Sequence, residues 1–174
     1  MSEPPVTAYI GIGGNLGDVR ETFSGALTVL GAADGISVSG VSPLYATPAV
    51  GGPEDQPIYL NAVIEIETRL SARELLHRLL EIEAEFARVR EVRWGPRTLD
   101  LDLLLYGPDR RIEDPPELLV PHPRLGERAF VLEPLAALAP SLIVPGTEST
   151  VEELRDALPA CDRAGIRLIG STWT

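Results

Sequence analysis

From Leu99 to Leu105 every odd position is leucine, and Asp100 and Asp102 stand between them. Side chains on an extended strand alternate faces. Both carboxylates therefore point one way, while Leu99, Leu101, Leu103 and Leu105 fill a core on the other face; Leu104 and Tyr106 continue the Asp face. Thr7 to Ile12 reads as a mostly buried first strand, Ile36 to Ala46 as a second, and Leu60 to Thr68 alternates as a third. Two segments carry the helical period instead. Phe23, Ala26, Leu27 and Leu30 follow a capping-box pair, Asp18 and Glu21, and Gly31 or Gly35 ends that helix. Leu75, Leu76, Leu79, Ile82, Phe86 and Val89 follow a second box, Ser71 and Glu74, and carry a helix to about Arg90.

Between these elements the breakers cluster. Gly11, Gly13, Gly14 and Gly17 read as a turn after the first strand; Leu16 breaks the spacing of a dinucleotide fingerprint. Thr47 to Pro57 is a glycine- and proline-bearing loop placed to cover a site. Gly95-Pro96 stops any helix before the Asp strand, and Gly107-Pro108-Asp109 turns the chain after it. Beyond lie a short strand near Arg111-Ile112, an extended stretch from Pro115 to Pro123, helices over 127–138 and Val151 to Ala157, and a strand over Ile166 to Ile169. The order β-α-β-β-α-β over residues 7–107 predicts an α+β, ferredoxin-like sheet with helices packed around it. The expectation is one domain over residues 1–174, with 1–6 and 170–174 as loose tails.

Composition narrows the function. The net charge of −11 argues against non-specific nucleic-acid binding. The chain has 15 basic residues, all arginine. A phosphate loop built on a lysine, or Schiff-base chemistry, is therefore excluded. One cysteine, Cys161, allows no internal disulfide, no run is long and apolar enough to span a membrane, and Met1 to Pro5 lacks the pattern of a signal peptide. A cytoplasmic protein without nucleic-acid or membrane partners is expected.

Against the acidic background, Arg88, Arg90, Arg93 and Arg97 fall within ten residues and only Glu91 opposes them. Arginine's planar donor fork matches phosphate oxygens. Two carboxylates side by side on a strand repel each other, and an oxygen-loving cation such as Mg²⁺ relieves the repulsion while keeping positions for phosphate and water. Together they suggest a metal–polyphosphate site; an edge strand with surface salt bridges is the plainer alternative.

The run Arg93-Trp94-Gly95-Pro96-Arg97-Thr98-Leu99-Asp100-Leu101-Asp102 resembles the motif of the 6-hydroxymethyl-7,8-dihydropterin pyrophosphokinases of folate biosynthesis. Ala8 to Gly17, Tyr45 to Pro48, Asp55 to Ala62, Val120-Pro121-His122 and Arg128 to Leu132 match further segments of that family, in its order, over roughly residues 7–158. The resemblance implies a ferredoxin-like fold and transfer of the terminal pyrophosphate of ATP to the hydroxymethyl group of the reduced pterin, with AMP leaving. It implies two Mg²⁺ on Asp100 and Asp102, with Arg88 and Arg97 stabilising charge on the transferred group. Glu83, Arg90, Arg93, Trp94, His122 and Arg128 would hold ATP. Tyr59 and Phe130 would sandwich the pterin, Asn61 would read its edge with backbone groups near Thr47 and Pro48, and Trp94 would close over it. The partners implied are small molecules and the chain a monomer. Another Mg-dependent phosphotransferase on the same fold, or a non-catalytic pterin- or nucleotide-binding module, stays open at this point. Glu91, Glu117 and Pro123 depart from the family pattern and bear on ATP affinity.

Overall fold

The computed structural model describes residues 4–15, 17–48, 58–86, 99–107, 112–114, 118–171 and 173. Strand β1 (Val6–Gly14) leads to helix α1 (Val19–Ala32), strands β2 (Ile36–Val41), β3 (Leu44–Thr47) and β4 (Tyr59–Thr68), helix α2 (Ala72–Phe86) and strand β5 (Asp100–Tyr106). These build an antiparallel sheet in the order β5-β1-β4-β3, with β2 also paired to β4. That is the predicted β-α-β-β-α-β arrangement with its second strand divided. The division falls at Ser42-Pro43, because proline has no N–H for the ladder. The Ser42 hydroxyl takes over there, accepting the Val63 N–H at 2.8 Å.

Helices α1 and α2 cover one face of the sheet. Ile10, Ile12, Ile64, Ile66, Leu99, Leu101 and Leu103 meet Phe23, Leu30, Leu75, Leu79 and Ile82 in that core. Fully burying one such side chain stabilises by about 1.5–3 kcal/mol, so a one-residue slip that turned the row outward would be prohibitive. Both predicted helix starts are present: Asp18 accepts the Glu21 N–H, and Ser71 and Glu74 cap each other's backbone. Neither glycine stops α1; Gly31 lies inside it and Ala33 follows its last residue.

The opposite face is covered by helix α3 (Ala129–Leu138), which packs Val131, Leu132 and Leu135 against Tyr9, Val63, Leu104 and Leu105. Here the simple alternation fails. Tyr9 pairs with Leu105 but Ile10 with Leu103, so Leu104 is an extra residue in β5. The bulge turns Leu105 to the α3 side beside Leu104, and Tyr106 to the α1–α2 side, where its hydroxyl donates to the Leu70 carbonyl at 2.7 Å.

Strands β6 (Ile112–Asp114) and β7 (Leu118–Val120) form a separate hairpin, and a cis peptide bond joins Val120 to Pro121. Beyond helix α4 (Val151–Ala157) comes a short helix unforeseen in the sequence, α5 (Ala160–Arg163), and then strand β8 (Arg167–Gly170), which adds to the β3 edge. Within the expected tail 170–174, two described residues are fixed in the fold. Gly170 belongs to β8, and Trp173 is buried against Phe23, its indole N–H donating to the Ser42 carbonyl at 2.8 Å. Among the described residues no helix is long and apolar enough to cross a membrane.

Candidate functional site

The α3-facing side of the sheet carries polar groups at the end away from the bulge. Asp100 on β5 lies opposite Gly13 on β1, Gly13 opposite Asn61 on β4, and Asn61 opposite Tyr45 on β3. In the next row Asp102 lies opposite Gly11, and Gly11 opposite Val63. At the other end Thr47 pairs with Tyr59. Strand alternation thus gathers Thr47, Tyr59, Asn61, Asp100 and Asp102 on one surface, two glycines wide at its centre.

Two hydrogen bonds fix this surface. The Asn61 amide, buried, donates through Nδ2 to Thr47 Oγ1 at 2.7 Å, so its carbonyl oxygen points the other way, over β1. Glu83 on α2 does something the resemblance did not anticipate. Its carboxylate accepts the N–H of Leu101, the residue between the two aspartates, at 2.9 Å. That bond ties α2 to the strand that presents the pair. Pro48 follows Thr47 and is exposed.

A second group comes from the segment entering α3. Arg128 stands at the helix start, its guanidinium 5.5 Å from the centre of the Phe130 ring, within cation–π range. Burial lowers the Arg128 pKa, while Asp102 and, more weakly, Asp100 act to raise it, so the arginine lies in the field of both carboxylates. His122 is pushed down to about 4, first by burial, then by Arg128 and Arg124. It is a neutral imidazole at neutral pH. Its Nδ1 accepts the Arg124 N–H at 3.2 Å, which leaves Nε2 as the proton-bearing nitrogen. Arg124 is a cation that the sequence reading passed over; its signal was its place between His122 and Arg128.

Among the described residues no three His, Cys, Asp or Glu come together to enclose a metal. Two carboxylates on an open surface instead suit Mg²⁺, which keeps several waters and takes phosphate oxygens. Arg88, Arg90, Arg93, Trp94 and Arg97, and the loop over 49–57, lie outside the described residues. The structure brings together Thr47, Tyr59, Asn61, Asp100 and Asp102, and sets Arg128 beside the aspartates and Phe130. An open cleft of about 440 Å³ between Tyr45, α5 and β8 has the Arg163–Glu133 ion pair in its lining. None of the sequence-predicted site residues lines it.

Comparison with known proteins bears on the fold and the family. The family model described as 7,8-dihydro-6-hydroxymethylpterin-pyrophosphokinase matches residues 9–140. A Pseudomonas aeruginosa protein named 2-amino-4-hydroxy-6-hydroxymethyldihydropteridine pyrophosphokinase is 44% identical over 164 residues, covering 94% of this chain and 97% of its own. A Bacillus subtilis protein of the same name is 44% identical over 147 residues, covering 84% of this chain and 86% of its own. A crystal structure of wild-type Plasmodium falciparum HPPK-DHPS shares the fold at a TM-score of 0.66 and 13% identity; the match covers 87% of this chain and 41% of that longer one.

Proposed function

Because the chain belongs to the 7,8-dihydro-6-hydroxymethylpterin-pyrophosphokinase family, we propose that the surface between Asn61 and the Asp100–Asp102 pair is where its two substrates meet. The enzyme transfers pyrophosphate from ATP to the hydroxymethyl group of 6-hydroxymethyl-7,8-dihydropterin, releasing AMP, in folate biosynthesis. The observation that carries the site is the register: a buried amide and two carboxylates on one face, separated by bare glycine.

In this reading the Asn61 carbonyl and backbone groups near Thr47 and Pro48 bind the pterin edge, and Tyr59 and Phe130 take its two faces. Asp100 and Asp102 would hold two Mg²⁺, which would supply neutralising charge to the phosphate oxygens. Arg128 and His122, with Arg90 and Arg93, hold the triphosphate; Arg88 and Arg97 face the group in transfer, and Trp94 closes over the substrates. Glu83 has its place in the ATP set through the end of α2, besides its bond to Leu101. Catalysis is then chiefly alignment: the pterin hydroxyl is set in line with the β-phosphorus, and the cations offset the charge that spreads there. The working unit is a single-domain monomer in the cytoplasm.

Product identity tests this directly. With ATP, the reduced pterin and Mg²⁺, chromatography should show AMP and a pyrophosphorylated pterin in equal amounts, without ADP. ADP with a monophosphorylated pterin would overturn the alignment on the β-phosphorus.

A further inference from the structure

Of the four glycines that read as a turn in the sequence, Gly11, Gly13 and Gly14 are strand residues, and only Gly17, at φ +75°, lies beyond the strand. Strand β1 runs to Gly14, and Tyr9, Gly11 and Gly13 share the face that bears Asn61 and the aspartates. A glycine inside a strand weakens it, and its presence marks a place where something else approaches the backbone. The two positions differ in what a side chain would meet. A Cβ on Gly11 would meet the Leu104 side chain first, at 3.5 Å, which is ordinary contact. A Cβ on Gly13 would stand 2.6 Å from the Oδ1 of Asn61.

That oxygen has little freedom to move. Asn61 is 9% exposed, and its Nδ2 is bound to the hydroxyl of Thr47, itself 3% exposed. Swinging Oδ1 away from Gly13 would break that bond between two buried partners. Gly13 also stands directly between Asn61 and Asp100 in the sheet. Those two residues are two strands apart, about 9–10 Å by the usual strand spacing. A bicyclic ring read at one end and reacting through a one-carbon arm at the other bridges such a gap.

We infer that Gly13 is a positioning residue for the pterin: its missing side chain lets the Asn61 carbonyl lie over β1 and leaves a bare floor between the amide and the metal-binding pair. This rests on the reading of Asn61 as the pterin-edge ligand, and deepens it. The side chain that an added Cβ would meet first is that of Asn61, so on this reading the effect falls on the pterin rather than on ATP.

The test is a double-mutant cycle on the full chain, with initial rates measured against each substrate and thermal melts recorded throughout. Gly13→Ala should raise the KM for the pterin about tenfold or more, as loss of one buried hydrogen-bonding geometry implies. The KM for ATP should stay within about twofold, and in an Asn61→Ala background Gly13→Ala should add no more than about twofold, because the group it displaces is gone. If Gly13→Ala does not fold, Gly13→Ala combined with Asn61→Ala should restore the wild-type melt profile. An unchanged pterin KM in Gly13→Ala, an equal rise for both substrates, or an undiminished loss in the Asn61→Ala background would overturn the inference. So would a double variant that stays unfolded. Asn61→Ala alone separates the two levels: if it leaves the pterin KM unchanged, the pterin-edge reading fails with it, whereas a raised KM there with a silent Gly13→Ala removes Gly13 alone.

Discussion

An amide at position 100 or 102 keeps the shape of the side chain and loses the charge that draws a divalent cation. Asp100→Asn and Asp102→Asn should each lower kcat by about a thousandfold, the usual cost of losing a charge partner in the transition state, with the melt unchanged. Near-normal turnover in both variants would remove the metal assignment. These carboxylates were legible because alternation on a strand needs no tertiary knowledge. Gly13 was not, since a glycine's meaning depends on what lies across it, and Asn61 is far away in sequence. His122 offers a test of the electrostatics. Its folded value of about 4 lies below the ordinary 6.5, so folding favours the neutral ring. That contribution is complete above pH 6.5 and is lost as pH falls through 4. Urea midpoints should therefore fall across this window, and by less in His122→Asn. Equal slopes in the two proteins would mean that the ring is not held neutral. A triphosphate beside Arg124 and Arg128 should move the imidazole titration upward, since anions favour its charged form.

At the scale of elements, α2 and β5 work as a unit. Helix α2 buries Leu75, Leu79 and Ile82, and from its last turn Glu83 reaches the N–H between the two aspartates. Glu83→Ala takes the acceptor from Leu101 and should cost about 1–3 kcal/mol in urea unfolding, whereas Glu83→Gln keeps a carbonyl oxygen there and should cost less. Equal losses would show that charge, not the bond to the strand, is what the position requires. If both variants lower the affinity for ATP equally, the nucleotide role dominates. Both helices and their N-terminal caps could be read in advance from the 3.6 period and the box residues, whereas the glycines read as the stop of α1 do not end it. The bulge at Leu104 could not. It depends on the pairing of β5 with the distant β1, which no local pattern encodes, and it sends Leu105 and Tyr106 to faces opposite those alternation assigns. The break at Pro43 had a local sign, the missing N–H, but the rescue by Ser42 depends on β4 alongside it.

For the molecule as a whole, the sheet order was foreseeable from the succession of strands and helices, but its second edge was not. Strand β8 closes the side next to β3, and Trp173 pins the end of the chain into the α1–α2 core. The anchor is distant from the matched family residues, which stop at 140. Trp173 is 5% exposed, its ring lies 5.7 Å from that of Phe23, and its N–H meets the carbonyl of Ser42, the residue whose hydroxyl bridges the break in the sheet. An apolar packing role and a hydrogen-bonding role are thus joined in one side chain. Trp173→Ala should lose both, about 3–5 kcal/mol, a large share of the 5–15 kcal/mol that holds a typical domain. Trp173→Phe keeps an aromatic ring against Phe23 but leaves the Ser42 carbonyl without its donor, so it should cost less, about 1–3 kcal/mol. Urea unfolding with an unchanged m-value is the measurement, because a changed slope would report a different unfolded state instead. A Trp173→Ala midpoint equal to that of the parent would mean that the chain end rides on the sheet without stabilising it. A loss shared with β3 would have a further sign: Thr47 lies at the end of that strand, so the KM for the pterin should rise in Trp173→Ala while the KM for ATP holds.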